Sequence, residues 1–213
     1  MQCNATFFAT KMSKSIILNE KTLVAIEASL KNSKTMKWRL RTPTPTRAAV
    51  LLPLCKVENI PSVLFTVRSR ELRTHGGEVS FPGGNQDDDE TLLNTMLRES
   101  HEEIGLNQQQ IRILGRMAEI PNKSFHKLVT PFVGYIGSIE QTKLQINPHE
   151  VSDVFHVPIQ QLLDPNIRKI EQFRGLSVTS SSWPVGDSDL RIWGLTAFIL
   201  HNFLNDCLLG PGT

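Results

Sequence analysis

The segment from Gly84 to Leu106, GNQDDDETLLNTMLRESHEEIGL, constrains this chain more than any other stretch. Residues 91–104 contain neither Gly nor Pro, so nothing interrupts a helix there, and Gly105 stops it. Asp87, Asp88 and Asp89 supply N-cap candidates and negative charge where the helix dipole is positive. At about 100° per residue, Glu99, Glu102 and Glu103 share one arc, while Leu93, Met96, Leu97, Ser100 and Ile104 form a second arc roughly 110° away. One face packs and the adjacent face holds carboxylates. Ser100 lies in the middle of the packed face, where a small residue permits close approach to a sheet.

Three carboxylates on one turn repel each other and destabilise an isolated helix, which makes sense if a divalent cation neutralises them. Hard oxygen ligands select Mg²⁺ or Mn²⁺ over softer metals. A solvated acidic face is the bland alternative, but it leaves Gly84, Glu90 and Arg98 unexplained at their spacing. That spacing is Gly, five residues, Glu, seven residues, then Arg-Glu-Ser-x-Glu-Glu-x-Gly-Leu. It resembles the Nudix box, departing only at Ser100, where the family pattern has an apolar residue. The resemblance implies an α/β chain with the Nudix fold, an α/β/α sandwich with a mixed central sheet. It also implies that Glu99 and Glu103 are the main metal ligands, that Glu102 assists, and that the Gly84 carbonyl adds a ligand. Arg98 and Glu90 would form an ion pair holding the loop against the helix. Either Glu99 or Glu102 would serve as the general base.

Upstream, residues 64–84 read LFTVRSRELRTHGGEVSFPGG. They resemble the extended signature of coenzyme A diphosphatases, a Nudix subfamily, through Arg68, Ser69, Leu72, Arg73, His75, Gly77, Phe81, Pro82, Gly83 and Gly84. Two arginines and a histidine beside a carboxylate helix suit a diphosphate, which needs positive charge and hydrogen-bond donors on the side away from the metal. Arg68, Arg73, His75 and Gly83 are therefore the candidate substrate contacts; taken singly, the first three also read as surface cations and a loop histidine. The implied reaction is Mg²⁺- or Mn²⁺-dependent hydrolysis of coenzyme A or acyl-CoA to 3′,5′-ADP and (acyl-)4′-phosphopantetheine. One rival keeps the chemistry and takes ADP-ribose, NADH or a nucleoside triphosphate. Another keeps the fold as a silent nucleotide-binding module, a use that normally costs box glutamates which this chain retains.

Apolar runs at 48–54 and 62–67, joined by a short polar loop with Asn59 and Pro61, read as a hairpin. Residues 111–119 and 127–137 read as strands, 150–163 as a strand and short helix, and 191–204 as a closing helix. In the last, Trp193, Leu195, Phe198, Ile199 and Phe203 keep helical spacing and read as core or subunit interface, which leaves a homodimer open. Glu150 reads either as a surface charge or as a carboxylate assisting the metal or the base.

A length of 213 residues at 39% hydrophobic content suits one α/β domain, and no membrane-length apolar run or repeat occurs. The net charge of +2 hides an asymmetry: residues 1–41 hold eight Lys/Arg against two Glu, the remainder fifteen against nineteen acids. We therefore expect a basic extension over 1–41 and a hydrolase domain over 42–213 whose surface suits neither nucleic acid nor membrane. The first nineteen residues lack acids but also the usual arginines of an import segment, so mitochondrial import and a plain tail stand as alternatives. Cytosolic and peroxisomal sites stay open. Cys3, Cys55 and Cys207 lack metal-site spacing and are odd in number, which favours a reducing interior.

Overall fold

β1 (Thr46–Val57) and β2 (Ile60–Arg68) form the expected hairpin, longer at both ends than the apolar runs. Glu58 and Asn59 close it at φ 50° and 64°, the two-residue turn whose twist matches that of its strands. The computed structural model describes residues 16–32, 38–139, 144–172 and 179–209.

Around the hairpin an eight-stranded sheet assembles. β1 pairs antiparallel with β4 (Gly83–Asn85) and parallel with β7 (Lys127–Ser138), so the sheet is mixed. β2 carries β3 (Val79–Ser80) and β8 (Val151–Pro158), while β7 carries β5 (Arg112–Arg116) and β6 (Ile120–Pro121). Alternation along β1 sends Leu52 and Leu54 into one core and Leu51 and Cys55 into the other. Helix α1 (Glu20–Lys31) and helix α4 (Gly194–Asn202) cover the first core; α2 (Leu92–Ile104) covers the second with Met96 and Ile104. The product is an α/β/α sandwich, and α3 (Ile159–Leu162) follows β8 as a single turn.

Two local expectations are corrected. Residues 16–32, assigned on charge to the basic extension, belong to the packed domain: Leu18, Leu23, Ile26 and Leu30 are buried, and Arg112 clamps α1 to β5 through Glu20 at 2.6 Å and Glu27 at 2.9 Å. The charges of α1 face water while its apolar stripe faces the sheet, so net charge masked an amphipathic helix. The import question and Cys3 lie outside the described residues; Cys55 and Cys207 are buried and free.

The closing helix starts later than expected. Residues Arg191–Ile192 form β11, Gly194 turns at φ 62°, and Trp193 stands outside the core at 40% exposure, with the Arg191 guanidinium 5.4 Å from its ring centroid. Ile199 and Phe203 are buried, and Leu195 and Phe198 partly so. β11 completes a small sheet with β9 (Lys169–Gln172) and β10 (Thr179–Pro184), which the serine-rich sequence gave no reason to expect. Trp183 anchors it, buried and donating its indole N–H to the Leu162 carbonyl at 3.0 Å. Among the described residues no helix is long and apolar enough to cross a membrane.

Candidate active site

Two glycines let the box loop lie flat against β1 and α2. Gly83, at φ 147°, runs so close to β1 that a Cβ would sit 2.2 Å from the Ala49 carbonyl oxygen. Gly84 faces the helix instead, where a Cβ would sit 2.3 Å from the Glu99 Oε1. The Glu99 carboxylate therefore occupies the space that any other residue at position 84 would fill.

Helix α2 begins one residue later than the composition suggests. Thr91, not an aspartate, is its N-cap and accepts from the Asn94 N–H at 3.2 Å, and Gly105 closes the helix in the left-handed region at φ 68°. Met96, Ser100 and Ile104 are buried as expected, and Ser100 turns its hydroxyl back onto the Met96 carbonyl at 2.7 Å. Leu93 is the exception on that face, 37% exposed, while the adjacent Leu92 packs against the core instead.

Arg98 is the hub of the loop. Its Nε and one terminal nitrogen hold both oxygens of Glu90 at 3.1 Å, the forked geometry that guanidinium and carboxylate share. The same side chain donates to the Asn85 carbonyl at 3.3 Å, and to Glu99 and Glu102 at 3.0 Å each. Thr95, which carried no sequence signal, donates its hydroxyl to Glu90 at 2.8 Å. Arg98 and Thr95 together hold Glu90 below the usual carboxylate range.

Glu103 is the most deeply placed of the four glutamates. It is 5% exposed, accepts from the Gly83 N–H at 3.2 Å and lies 4.0 Å from the Arg68 guanidinium. Burial pushes its carboxyl up to about 8, against the opposing pull of Gly83 and Arg68, with Glu99 and Glu150 adding to the rise. Burial also raises Glu99, against the pull of Arg98, and Glu102 and Glu150 raise it further. Glu150, ambiguous in sequence, thus belongs to the same electrostatic cluster. The loop that carries it is tied to the helix by the Asn147 N–H on the Glu103 carbonyl at 2.9 Å, and to β2 by the Ser69 N–H on its own carbonyl at 2.8 Å.

Among the described residues no three acidic, histidine or cysteine side chains are already gathered as a metal cage. Arg98 draws the Glu99 and Glu102 carboxylates toward itself. The donor set nevertheless suits a hard divalent cation: it is all oxygen, mutually repulsive, and partly withdrawn from water, with side-chain torsions free to converge.

The proposed substrate contacts divide. Arg68 reaches the carboxylate cluster through Glu103, and Gly83 lies on it through its N–H. Arg73 and His75 sit on an exposed loop; His75, at φ 59°, pairs with Glu78 at 3.0 Å, and Arg73 has no side-chain partner among the described residues.

This chain belongs to the Nudix family, whose domain model matches residues 45–175. It is a Nudix hydrolase, and hydrolases of this family use divalent metal ions. It is 37% identical over 177 residues to Nudix hydrolase 3 of Caenorhabditis elegans, covering 76% of this chain and 73% of that one. An equal identity over 177 residues relates it to the mitochondrial coenzyme A diphosphatase NUDT8 of Mus musculus, across 82% of each chain. The Nudix hydrolase NudL of Photorhabdus laumondii is 36% identical over 180 residues, covering 78% of this chain and 91% of its own.

Proposed function

We propose that this hydrolase cleaves the diphosphate bond of coenzyme A or acyl-CoA, using Mg²⁺ or Mn²⁺ and yielding 3′,5′-ADP and (acyl-)4′-phosphopantetheine. The observation that carries the reading is the continuity between the 64–84 segment and the carboxylates: Arg68, at the end of β2, stands 4.0 Å from Glu103. The 37% identity to a mouse coenzyme A diphosphatase supports the same substrate. It also supports a mitochondrial setting for this chain.

Glu99 and Glu103 would hold the cation, with Glu102, Glu150 and the Gly84 carbonyl available to complete its oxygen shell. When bound, the cation shields the diphosphate and lowers the pKa of an attacking water. Glu102, about half exposed and held among the described residues by Arg98 alone, is free to accept the water's proton, whereas Glu99 lies against the loop backbone and Glu103 is buried. Arg98 keeps Glu99 and Glu102 oriented through its hydrogen bonds to both. Arg68 and the Gly83 N–H would meet phosphate oxygens on the sheet side, and Arg73 and His75 the outer parts of the substrate.

Side-by-side initial rates on coenzyme A, ADP-ribose, NADH and nucleoside triphosphates, with Mg²⁺ or Mn²⁺, test the assignment. Coenzyme A is expected to be hydrolysed fastest. Ready hydrolysis of another nucleotide with no cleavage of coenzyme A would sink the substrate while leaving the family intact.

A further inference from the structure

A cavity of about 160 Å³ lies away from the glutamates, lined chiefly by Leu162, Pro165, Arg168, His201, Leu204 and Leu209. Strand register fixes its distance from the active site. Ser62 pairs with Pro158, where α3 begins, and Arg68 pairs with Val151, so the two ends of β2 are about 20 Å apart at the usual rise per residue.

Arg168 is half-buried at this wall, and its guanidinium has no ion-pair or hydrogen-bond partner among the described residues. Leaving such a group half-desolvated and unpaired is unfavourable, and an anion would relieve it. The neighbouring acids do not serve. Asp164 accepts from the Asn166 N–H at 2.9 Å and from its amide at 3.0 Å, and Asp206 is exposed to water. His201 lines the cavity with Nδ1 in reach of Ser181 at 3.3 Å and Asn205 at 3.1 Å. Burial and the charge of Arg168 hold it below the ordinary histidine range, against the opposing pull of Asp206, so it adds polarity without a second cation.

The backbone changes at the same place. Residues Phe203–Leu208 leave the α-helical path for a π turn, with the Leu209 N–H bonded to the Leu204 carbonyl at 3.1 Å. Such turns widen a helix and occur often at functional sites. Apart from Asn205 the remaining wall is leucine and proline, and an apolar cavity of roughly 150 Å³ accepts a molecule the size of benzene.

We propose that the cavity between Arg168, His201 and the π turn binds a small amphiphilic carboxylate, a chain or ring of about six carbons whose carboxylate pairs with Arg168. The guanidinium demands an anion, while the leucines disfavour one that must stay fully hydrated, such as phosphate. Because the site is remote from the glutamates, the proposal stands apart from the substrate assignment.

Calorimetric titration of the full chain with hexanoate, hexanol and inorganic phosphate tests it. Hexanoate is expected to bind saturably, and the other two at least about tenfold more weakly. Arg168→Gln should weaken hexanoate by about tenfold or more. Leu209→Trp, at the exposed rim, should block it, and Glu103→Gln should leave it unchanged. Both cavity variants should keep the wild-type turnover and lose no thermal stability. Absence of saturable binding, equal binding of hexanol or phosphate, or hexanoate affinity indifferent to both cavity variants would overturn the site.

Discussion

The Glu99 carboxylate lies where a side chain at position 84 would have to be: a Cβ on Gly84 would approach Glu99 Oε1 to 2.3 Å and its Cδ to 2.3 Å. Gly84→Ala must displace either the carboxylate or the loop. Because a shift of about 1 Å at a reacting centre can cost 10²-fold, we expect turnover to fall by about that factor. Steady-state kinetics in saturating Mg²⁺ checks this, and wild-type turnover would show that the cradle yields freely.

Glu99→Gln and Glu103→Gln preserve shape and remove a charge that a cation would use. Each is expected to lower kcat by roughly 10²-fold or more with the fold intact. Turnover near wild type for both, across a Mg²⁺ titration, would remove them from the metal site.

Arg98→Ala should act on stability as well as activity, since it strips Glu90, which is mostly buried, of two charge-assisted hydrogen bonds. The expected loss is about 1.5 to 3 kcal/mol. At this chain length that is a fall in thermal midpoint of roughly 3 to 12 °C. An unchanged midpoint with unchanged turnover would reduce Arg98 to a surface contact.

The buried Glu103 predicts a pH dependence with a definite sign. Its folded carboxyl, at about 8, lies above its unfolded value, so between the two the native state keeps a proton that the unfolded chain has released. Without metal, this group's contribution to stability is present below the unfolded value and is lost as pH rises through about 8. Thermal midpoints measured in EDTA from mildly acidic to mildly alkaline pH should therefore decline more steeply for wild type than for Glu103→Gln. Addition of Mg²⁺ should recover more stability at the alkaline end, where coordination no longer competes with the proton. Parallel curves for the two proteins would contradict the burial argument.

Arg68 and Arg73 should separate two halves of the substrate. Arg68 stands beside Glu103 and is expected to grip the diphosphate that coenzyme A and dephospho-coenzyme A share, so Arg68→Ala should weaken both alike. Arg73 is exposed on the outer loop, and on the proposed function it is expected to meet the 3′-phosphate that only coenzyme A carries. Arg73→Ala should cost coenzyme A alone about 10- to 150-fold in kcat/KM, the equivalent of one charge-assisted phosphate contact. The reverse pattern, or equal losses for Arg73→Ala, would exclude that contact.

What the sequence determined by itself was local. Helical periodicity dictates that Glu99, Glu102 and Glu103 share a face, and Gly105 ends the helix, while the pairing of Arg98 with Glu90 was implied by the family resemblance alone. These relations span only a few residues, and backbone geometry leaves them little choice. The strands of the hairpin and β7 were legible for the same reason, since alternation and apolar runs declare themselves without a partner. Burial and remote convergence were decided by tertiary structure. Glu103 looks in sequence like any other acid on its turn, and only its seat between Gly83 and Arg68 withdraws it from water. Glu150 lies far along the chain and joins the cluster because β8 pairs with β2 and its loop is tied to α2. The N-terminal helix reads as a charged arm until β5 gives its apolar stripe something to cover, and Trp193 reads as core or subunit interface until Gly194 turns the chain and leaves it outside the core. Periodicity specifies which face of an element is apolar, but which surface meets that face depends on strand register and chain crossing, and these are properties of the assembled sheet.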